Sequence, residues 1–305
     1  METSALHQSE EQSSPRERFF ERYKGDEDEF GFDVEEYRAL EVFIRFFYEK
    51  WFAVKTIGLE NIPAEGKAVL FGNHSGVLPI DGCLLYDGVI NYHPEPRRMR
   101  FLITDFLRKA PVIGKSLRGF GCVPADYDVA IKLLNKDELV FFYPEAEEGT
   151  GKLFKDRYKL VDFHNGFVRA AIASGAPVFP VITVGGDEIY PLLGNLKPIA
   201  KLMDAPYWPI TPFYPLLPFP SNAIPLPIKM LICVGKPFKL DFPPEKAEDH
   251  DFATEIANEL RRQSQEKLNG LLELRGSPFS KWNTEKVQEY WATVSVYSPP
   301  GSTRL

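Results

Sequence analysis

A histidine and an aspartate seven residues apart, His74 and Asp81, are the first side chains in this 305-residue sequence whose types can do chemistry together. They stand in Leu70-Phe71-Gly72-Asn73-His74-Ser75-Gly76-Val77-Leu78-Pro79-Ile80-Asp81-Gly82. The apolar run from Ala68 to Phe71 reads as a strand ending, and the glycines, serine and proline that follow break it into a loop. Polar side chains on a loop beside a rigid strand are where active sites are commonly built. An imidazole oriented by a carboxylate serves as a general base near neutral pH. On spacing alone, the better reading of His74 is a loop histidine capping the helix that starts near Asp81. Ser75 would need a second base to act as a nucleophile, and the sequence holds no Gly-x-Ser-x-Gly elbow.

A second stretch, Tyr143-Pro144-Glu145-Ala146-Glu147-Glu148-Gly149-Thr150-Gly151-Lys152, closes an apolar run with carboxylates and a glycine-rich turn. Such a turn offers backbone N–H groups to a phosphate or an oxyanion; the amides near Gly149 or Gly72 are the candidates here. Glu145, at a strand end, can hydrogen-bond a hydroxyl. Lys152, Lys155, Arg157 and Lys159 can neutralise phosphate or form a solvated charged loop.

Alternating strands and helices must position these residues. Strands are predicted over Val54–Gly58, Lys67–Phe71, Arg100–Thr104, Glu138–Tyr143, Pro177–Val184 and Lys229–Val234. Helices are predicted over Asp81–Val89, Pro111–Arg118, Tyr127–Leu134, Asn165–Ser174 and Asp251–Glu273. That alternation means an α/β layered domain, placed at residues 54–245. Ahead of it, Asp33 reads as an N-cap to a helix over residues 34–53. Its residues Tyr37, Leu40, Ile44, Phe47 and Trp51 share one face, and Phe43, Phe46 and Phe52 widen it. The helix either lies in a membrane interface or packs on the protein's own core. Residues 1–33, rich in Glu, Gln and Ser, read as a disordered acidic tail with a short helix over Arg16–Lys24. Eight of the 26 prolines fall between Pro206 and Pro227, which excludes helix there. The apolar loop 205–228 therefore covers a pocket or inserts among lipid headgroups. Residues 246–305 form a C-terminal helix and tail.

Composition narrows the class. With 44% hydrophobic and 26% charged residues the chain can bury a full core. Of the net charge of -7, -6 lies in residues 1–33, with 10 acidic and 4 basic side chains. The nearly neutral remainder removes a global case for nucleic-acid binding. Seven basic residues between Arg97 and Arg118, against Asp105 alone, form a local excess suited to phosphate. Cys83, Cys122 and Cys233 are widely spaced, which argues for a reducing, cytoplasmic setting and against a zinc cluster. No run approaches the ~18–20 apolar residues that span a bilayer, and no secretory signal is read. Any membrane association is expected to be peripheral.

The motifs, in order, resemble those of the glycerolipid acyltransferases, the PlsC-like family. The His74 stretch is similar to the family's Asn-His-x4-Asp, but with His-Ser-Gly-x-x-Pro-x-Asp, as in a divergent branch related to diacylglycerol acyltransferases and plant phytyl-ester synthases. Tyr143-Pro144-Glu145 resembles Phe-Pro-Glu-Gly-Thr-Arg-Ser, with Ala146 in the glycine place. Gly119-Phe120-Gly121-Cys122-Val123-Pro124-Ala125 aligns with Gly-x-x-Phe-Ile-x-Arg, leaving Ala125 where the arginine that binds the acceptor's phosphate would stand. Ala176-Pro177-Val178-Phe179-Pro180-Val181 resembles the motif that helps line the acyl site.

The resemblance implies a layered mixed sheet flanked by helices. It also implies a membrane-associated O-acyltransferase, with His74 and Asp81 catalytic and Asn73, Glu145, Gly149, Thr150, Lys152, Lys155 and Arg157 binding substrate. The acyl donor would be acyl-CoA or acyl-acyl carrier protein, with no cofactor and no metal. Membrane lipids would be its partners. The acceptor would be a lysophospholipid or, given Ala125, a neutral lipid such as diacylglycerol. A degenerate lipid-binding protein of the same fold and a thioesterase are the alternatives.

Overall fold

The computed structural model describes residues 13–74, 80–110, 113–202, 207–218 and 220–305. The first twelve residues of the acidic tail, Ser75, Gly76, Pro79, Pro111, and residues 205, 206 and 219 of the proline-rich loop lie outside the described residues. Eleven strands are described. They are β1 (Lys55–Ile57), β2 (Ala68–Gly72), β3 (Met99–Ile103), β4 (Cys122–Pro124), β5 (Leu139–Phe142), β6 (Val178–Val184), β7 (Gly194–Asn195), β8 (Pro209–Ile210), β9 (Leu231–Val234), β10 (Phe238–Leu240) and β11 (Ser302–Arg304). The main sheet runs β1-β9-β6-β2-β5-β3-β4, and β10 and β11 extend it beside β6. All neighbours on that path are parallel except β9 with β6. The result is a mixed α/β sheet, mostly parallel and flanked by helices.

Central strands β2, β5 and β6 are buried along their whole lengths, as continuous apolar runs covered on both faces should be. Pro180 in β6 supplies no ladder N–H. It lies where the neighbouring chain turns from β9 to β10, and its carbonyl accepts from Gly235 at 2.8 Å.

Twelve α-helices are found among the described residues. The N-terminal pair is α1 (Pro15–Arg22) and α2 (Val34–Phe46); α3 (Ile80–Tyr92), α4 (Asp105–Lys109), α5 (Ile113–Gly119) and α6 (Tyr127–Leu134) follow. Next come α7 (Ala146–Thr150), α8 (Gly166–Ser174), α9 (Gly186–Ile189) and α10 (Lys197–Leu202), then α11 (His250–Glu273) and α12 (Thr284–Val294). Helices α6, α8 and α11 bury their apolar faces on one side of the sheet. On the other side pack α1, α2 and α3.

Residues 13–33 are not a disordered tail. Ser14 caps α1 in a capping box, and Phe19, Phe20 and Phe32 are buried. The acidic side chains are also tied down. Asp26 lies 2.6 Å from Arg98, Asp28 pairs with Arg100, Glu29 reaches Lys132 and Lys136, and Glu36 pairs with Lys115. This corrects the reading of the basic stretch as well. Arg97 is buried on the carbonyls of Pro63, Gly66 and Asp137, and Arg108 and Lys109 bind Asp105. Arg118 donates to the Arg108 carbonyl. Arg98, Arg100 and Lys115 thus neutralise acidic residues of the N-terminal region, and the other four are spent on Asp105 or on backbone carbonyls.

Helix α2 stops at Phe46 and continues as a π turn, Phe47–Trp51. One face packs on the protein's own core and the other is open to the outside. Val34, Tyr37 and Ile44 are buried, while Val42, Phe43 and Phe46 face outward.

Candidate active site

The chain brings His74 to the edge of a cavity because β2 ends at Gly72. A Cβ at Gly72 would stand 3.0 Å from Phe141 and 3.1 Å from the Val181 carbonyl, so the strand end stays glycine where β5 and β6 close in. Asn73 is buried, and both ends of its amide are hydrogen-bonded to β6. Nδ2 donates to the Thr183 carbonyl at 2.9 Å, and Oδ1 accepts from the Thr183 N–H at 2.8 Å. Asn73 therefore joins the end of β2 to β6, and it is not among the described residues that line the cavity.

Asp81 sits in the first turn of α3 and is almost wholly buried. His74 Nδ1 lies 3.2 Å from Asp81 Oδ2. The tautomer protonated at Nδ1 donates to that carboxylate and leaves Nε2 as an acceptor. The seven-residue separation thus brings the two side chains within hydrogen-bond reach. Tyr143 packs its ring against the imidazole, with centroids 3.9 Å apart and 22° between planes. Its phenol lies well above the ordinary range, first through burial and then through the neighbouring Asp81 charge.

Glu145 is completely buried and anchors the loop from below. One oxygen accepts from the His74 N–H at 3.0 Å; the other accepts from the Val161 N–H at 2.9 Å and from Lys152 Nζ at 3.1 Å. An acceptor hydroxyl therefore finds no open face on Glu145, contrary to the expectation from its place at a strand end. Lys152 is equally committed, buried between Glu145 and the field of Asp187. The Gly149 N–H donates within its own turn to the Glu145 carbonyl at 3.1 Å, so it is not a free oxyanion donor. Its lack of a side chain serves packing instead, since a Cβ there would stand 2.7 Å from Glu145 Cβ and 3.3 Å from His74 Cβ. Ala146 has φ +47°, in the left-handed region, which explains why the resembling motif carries glycine there.

The cavity has a volume of about 560 Å³. Leu102, Leu107, Ile113, Phe142 and Trp208 supply apolar walls, and Ala125 lines it too. His74, Thr104, Asp126, Glu147 and Thr150 bring polar groups to it. Among the described residues that line it, none is a lysine or an arginine. Lys152, Lys155 and Arg157 stand elsewhere, and Arg157 lies 3.9 Å from Glu188. Thr150, as predicted, faces the cavity, and its hydroxyl donates to the Glu147 carbonyl at 3.0 Å.

Sequence reasoning missed Glu147. Its side-chain carboxylate has no hydrogen bond or ion pair among the described residues, and burial followed by the Glu148 charge raises its pKa. The Glu-Ala-Glu-Glu run was its only signal. The proline-rich loop's Tyr207, Trp208 and Pro209 close one side of the cavity, answering half of the question its composition posed. Among the described residues, no group of three or more His, Cys, Asp or Glu is placed to hold a metal ion.

A family model described as Acyltransferase matches residues 53–184, the span that carries His74, Asp81 and Glu145. Uncharacterized proteins of Mycobacterium leprae and Mycobacterium tuberculosis are 40% identical over 255 residues, covering 83% of this chain and 69% and 71% of theirs. A human protein named DGAT1/2-independent enzyme synthesizing storage lipids is 23% identical over 192 residues, 63% of this chain and 55% of that protein. Among solved structures, the 1-acyl-sn-glycerophosphate (LPA) acyltransferase PlsC from Thermotoga maritima has a TM-score of 0.48 at 18% identity, over 79% of this chain and 83% of that one. The chain belongs to the acyltransferase family.

Proposed function

We propose that this enzyme moves a fatty acyl group from a thioester, acyl-CoA or acyl-acyl carrier protein, to the hydroxyl of a neutral glycerolipid such as diacylglycerol, at a membrane surface. His74 Nε2 takes the hydroxyl proton while Asp81 orients the ring. The alkoxide oxygen attacks the thioester carbonyl and forms a tetrahedral oxyanion. Collapse of that intermediate breaks the C–S bond, and the imidazolium returns its proton to the departing thiolate. An ester and a free thiol result, and no cofactor is consumed.

The observation that carries the neutral acceptor is the cavity's chemistry. Ala125, aligned with the family's arginine, lines it. The described lining offers no lysine or arginine, while Asp126 and Glu147 bring carboxylates that repel a phosphate. The storage-lipid name of the human relative points the same way.

Membrane association draws support from the outer surface. Val42 is 83% exposed, and Phe43 and Phe46 lie beside it on α2. Aromatic contacts run from Phe43 through Phe47 to Trp51, whose Nε1 donates to the Pro225 carbonyl at 3.0 Å. The same loop exposes Leu216 at 80%, together with Leu217 and Ile224. Contiguous exposed apolar surface of this kind marks an interaction site, and aromatic anchors suit a lipid interface. Among the described residues no helix is long and apolar enough to cross a membrane.

The test is thiol release from palmitoyl-CoA on detergent–lipid micelles, with products resolved by lipid class. Release that requires diacylglycerol or a long-chain alcohol is expected, and His74→Ala should lower it by at least about 10³-fold while the protein stays folded. Release with lysophosphatidate but not with diacylglycerol would overturn the neutral acceptor. Release without any acceptor would make the protein a thioesterase, and none with any donor would make it a lipid-binding protein.

A further inference from the structure

We infer that Gln265, on the C-terminal helix α11, is a positioning residue for the His74 loop, an inference that rests on the reading of His74 as the base. Gln265 lies outside residues 53–184, the span of the family match, and reaches the site through hydrogen bonds and one peptide link. Its amide grips the backbone of residues 158–160 at both ends. Oε1 accepts from the Leu160 N–H at 2.8 Å, and Nε2 donates to the Tyr158 carbonyl at 2.9 Å. Nε2 also donates to Asn269 Oδ1 at 2.8 Å, one helical turn on, which holds the amide in this orientation. The next N–H along the segment, that of Val161, donates to Glu145 Oε2 at 2.9 Å, and Glu145 Oε1 accepts from the His74 N–H at 3.0 Å.

Tyr158 gives the independent sign that this segment is held in a set shape. Its φ is +63°, in a region that a bulky side chain rarely adopts and that persists only where the surroundings fix it. Every polar atom of Tyr158 is bonded. The N–H donates to Asp187 Oδ2 at 2.8 Å, and the carbonyl accepts from Gln265. The hydroxyl accepts from Arg275 Nη1 at 2.8 Å and from the Gly185 N–H at 3.2 Å. Past this bend the Leu160 N–H goes to α11 and the Val161 N–H to Glu145.

Attachment and direction are separable here. Leu160 and Phe163 are buried in the core shared with α11, so apolar contact keeps the segment attached without the amide. Apolar contact does not aim an N–H, whereas hydrogen bonds are directional. Without the amide, the Val161 N–H and Glu145 gain freedom, and the His74 backbone bonded to Glu145 gains it with them. A misplacement of about 1 Å from a distant substitution can cost ~10²-fold in rate.

Gln265→Met keeps the length of the side chain and removes its hydrogen bonds. Thiol release from palmitoyl-CoA is measured on micelles of diacylglycerol and, in parallel, of lysophosphatidate, so that the identity of the acceptor does not decide the outcome. With the acceptor that supports release, kcat should fall about tenfold with KM unchanged, the pattern of a lost transition-state contribution. The NMR resonances of the His74 imidazole should shift. Glu145→Gln leaves a single acceptor oxygen and cuts the link between Val161 and His74, so Gln265→Met should add little in that background. Should Gln265→Met not fold, Gln265→Glu, which keeps an oxygen for the Leu160 N–H, is read in the same two backgrounds. Equal fold-losses in both backgrounds would overturn the proposal, as would a lowered urea midpoint with unchanged kcat per folded enzyme. His74→Ala separates the levels. Full activity there would sink the base assignment and this inference with it. An inactive His74→Ala beside a fully active Gln265→Met would sink this inference alone.

Discussion

The two sides of the cavity are built to opposite rules. Beneath His74, Glu145 is spent on the His74 and Val161 N–H groups and on Lys152, and Asn73 is spent on Thr183. Across from it, Leu102, Leu107, Ile113 and Trp208 offer shape without directional bonds. In the proposed mechanism a polar floor with fixed partners sets the geometry of proton transfer, which tolerates little displacement. An apolar wall binds chains by area, so a change there redirects what is bound without disturbing the chemistry.

The floor should be brittle. Lys152→Met leaves the buried Glu145 and Asp187 carboxylates without their shared cation. Removing one partner of a buried pair costs about 3–5 kcal/mol, and urea unfolding should show a loss of that order. The His74 loop hangs from Glu145, so kcat should fall at least tenfold even in the fraction that remains folded. A variant with native stability and rate would mean that the floor positions nothing.

The wall should be adjustable. Ala125→Arg returns a cation to the cavity at the position where the family's arginine aligns. A charge-assisted hydrogen bond is worth about 1.5–3 kcal/mol. Acylation of lysophosphatidate relative to diacylglycerol should therefore rise about tenfold or more, with stability nearly unchanged because Ala125 is exposed. Unaltered acceptor preference would show that this wall does not select the acceptor.

The outer apolar face extends the contrast. Phe43→Asp with Phe46→Asp should weaken binding to phosphatidylcholine–phosphatidylglycerol vesicles at least tenfold, as expected for withdrawing two exposed aromatics from an interface. The unfolding midpoint should stay within about 2 °C, since neither ring is buried in the protein. Undiminished sedimentation with vesicles would remove α2 from the membrane contact.

What could be read from the sequence follows the same division. The sheet and its helices were legible because β2, β5 and β6 are local apolar runs, and because Tyr127–Leu134 repeats with helical spacing. The His74–Asp81 pair was legible only through the resemblance to the family's first motif, since spacing alone favoured a helix-capping histidine. Residues 13–33 were not, because what orders them is far away in sequence. Phe19 and Phe20 meet Tyr37 and Tyr86, and Asp26 and Asp28 meet arginines 72 residues on. Composition sees acidic, polar chain and cannot see those partners. Glu145 was misread for a related reason. Its position beside a strand end was correct, but burial and three donors decide what a carboxylate does, and Val161 belongs to another part of the chain. Helix α12 went unnoticed because its buried residues, Val287 and Trp291, are few among polar ones.

Ala146 lies at the junction of the two sides and yields the smallest effect. It lines the cavity, yet its φ of +47° places it on the floor's tight turn between Glu145 and Gly149. For a residue with a Cβ the left-handed region costs roughly 1–2 kcal/mol, and glycine escapes it. Glycine in turn gives up more entropy on folding, by about 0.5–1 kcal/mol. Ala146→Gly should therefore stabilise the protein by up to about 1 kcal/mol. The cavity would gain one methyl group of space without gaining a charge. Acceptor class should stay the same while tolerance for bulk near Glu147 increases, read as a lower KM for branched or polyunsaturated acceptors. A destabilised variant would show that the Ala146 methyl contributes more by packing against the substrate wall than its backbone strain costs. In that case the junction would belong to the adjustable wall, and the fixed floor would end at Glu145.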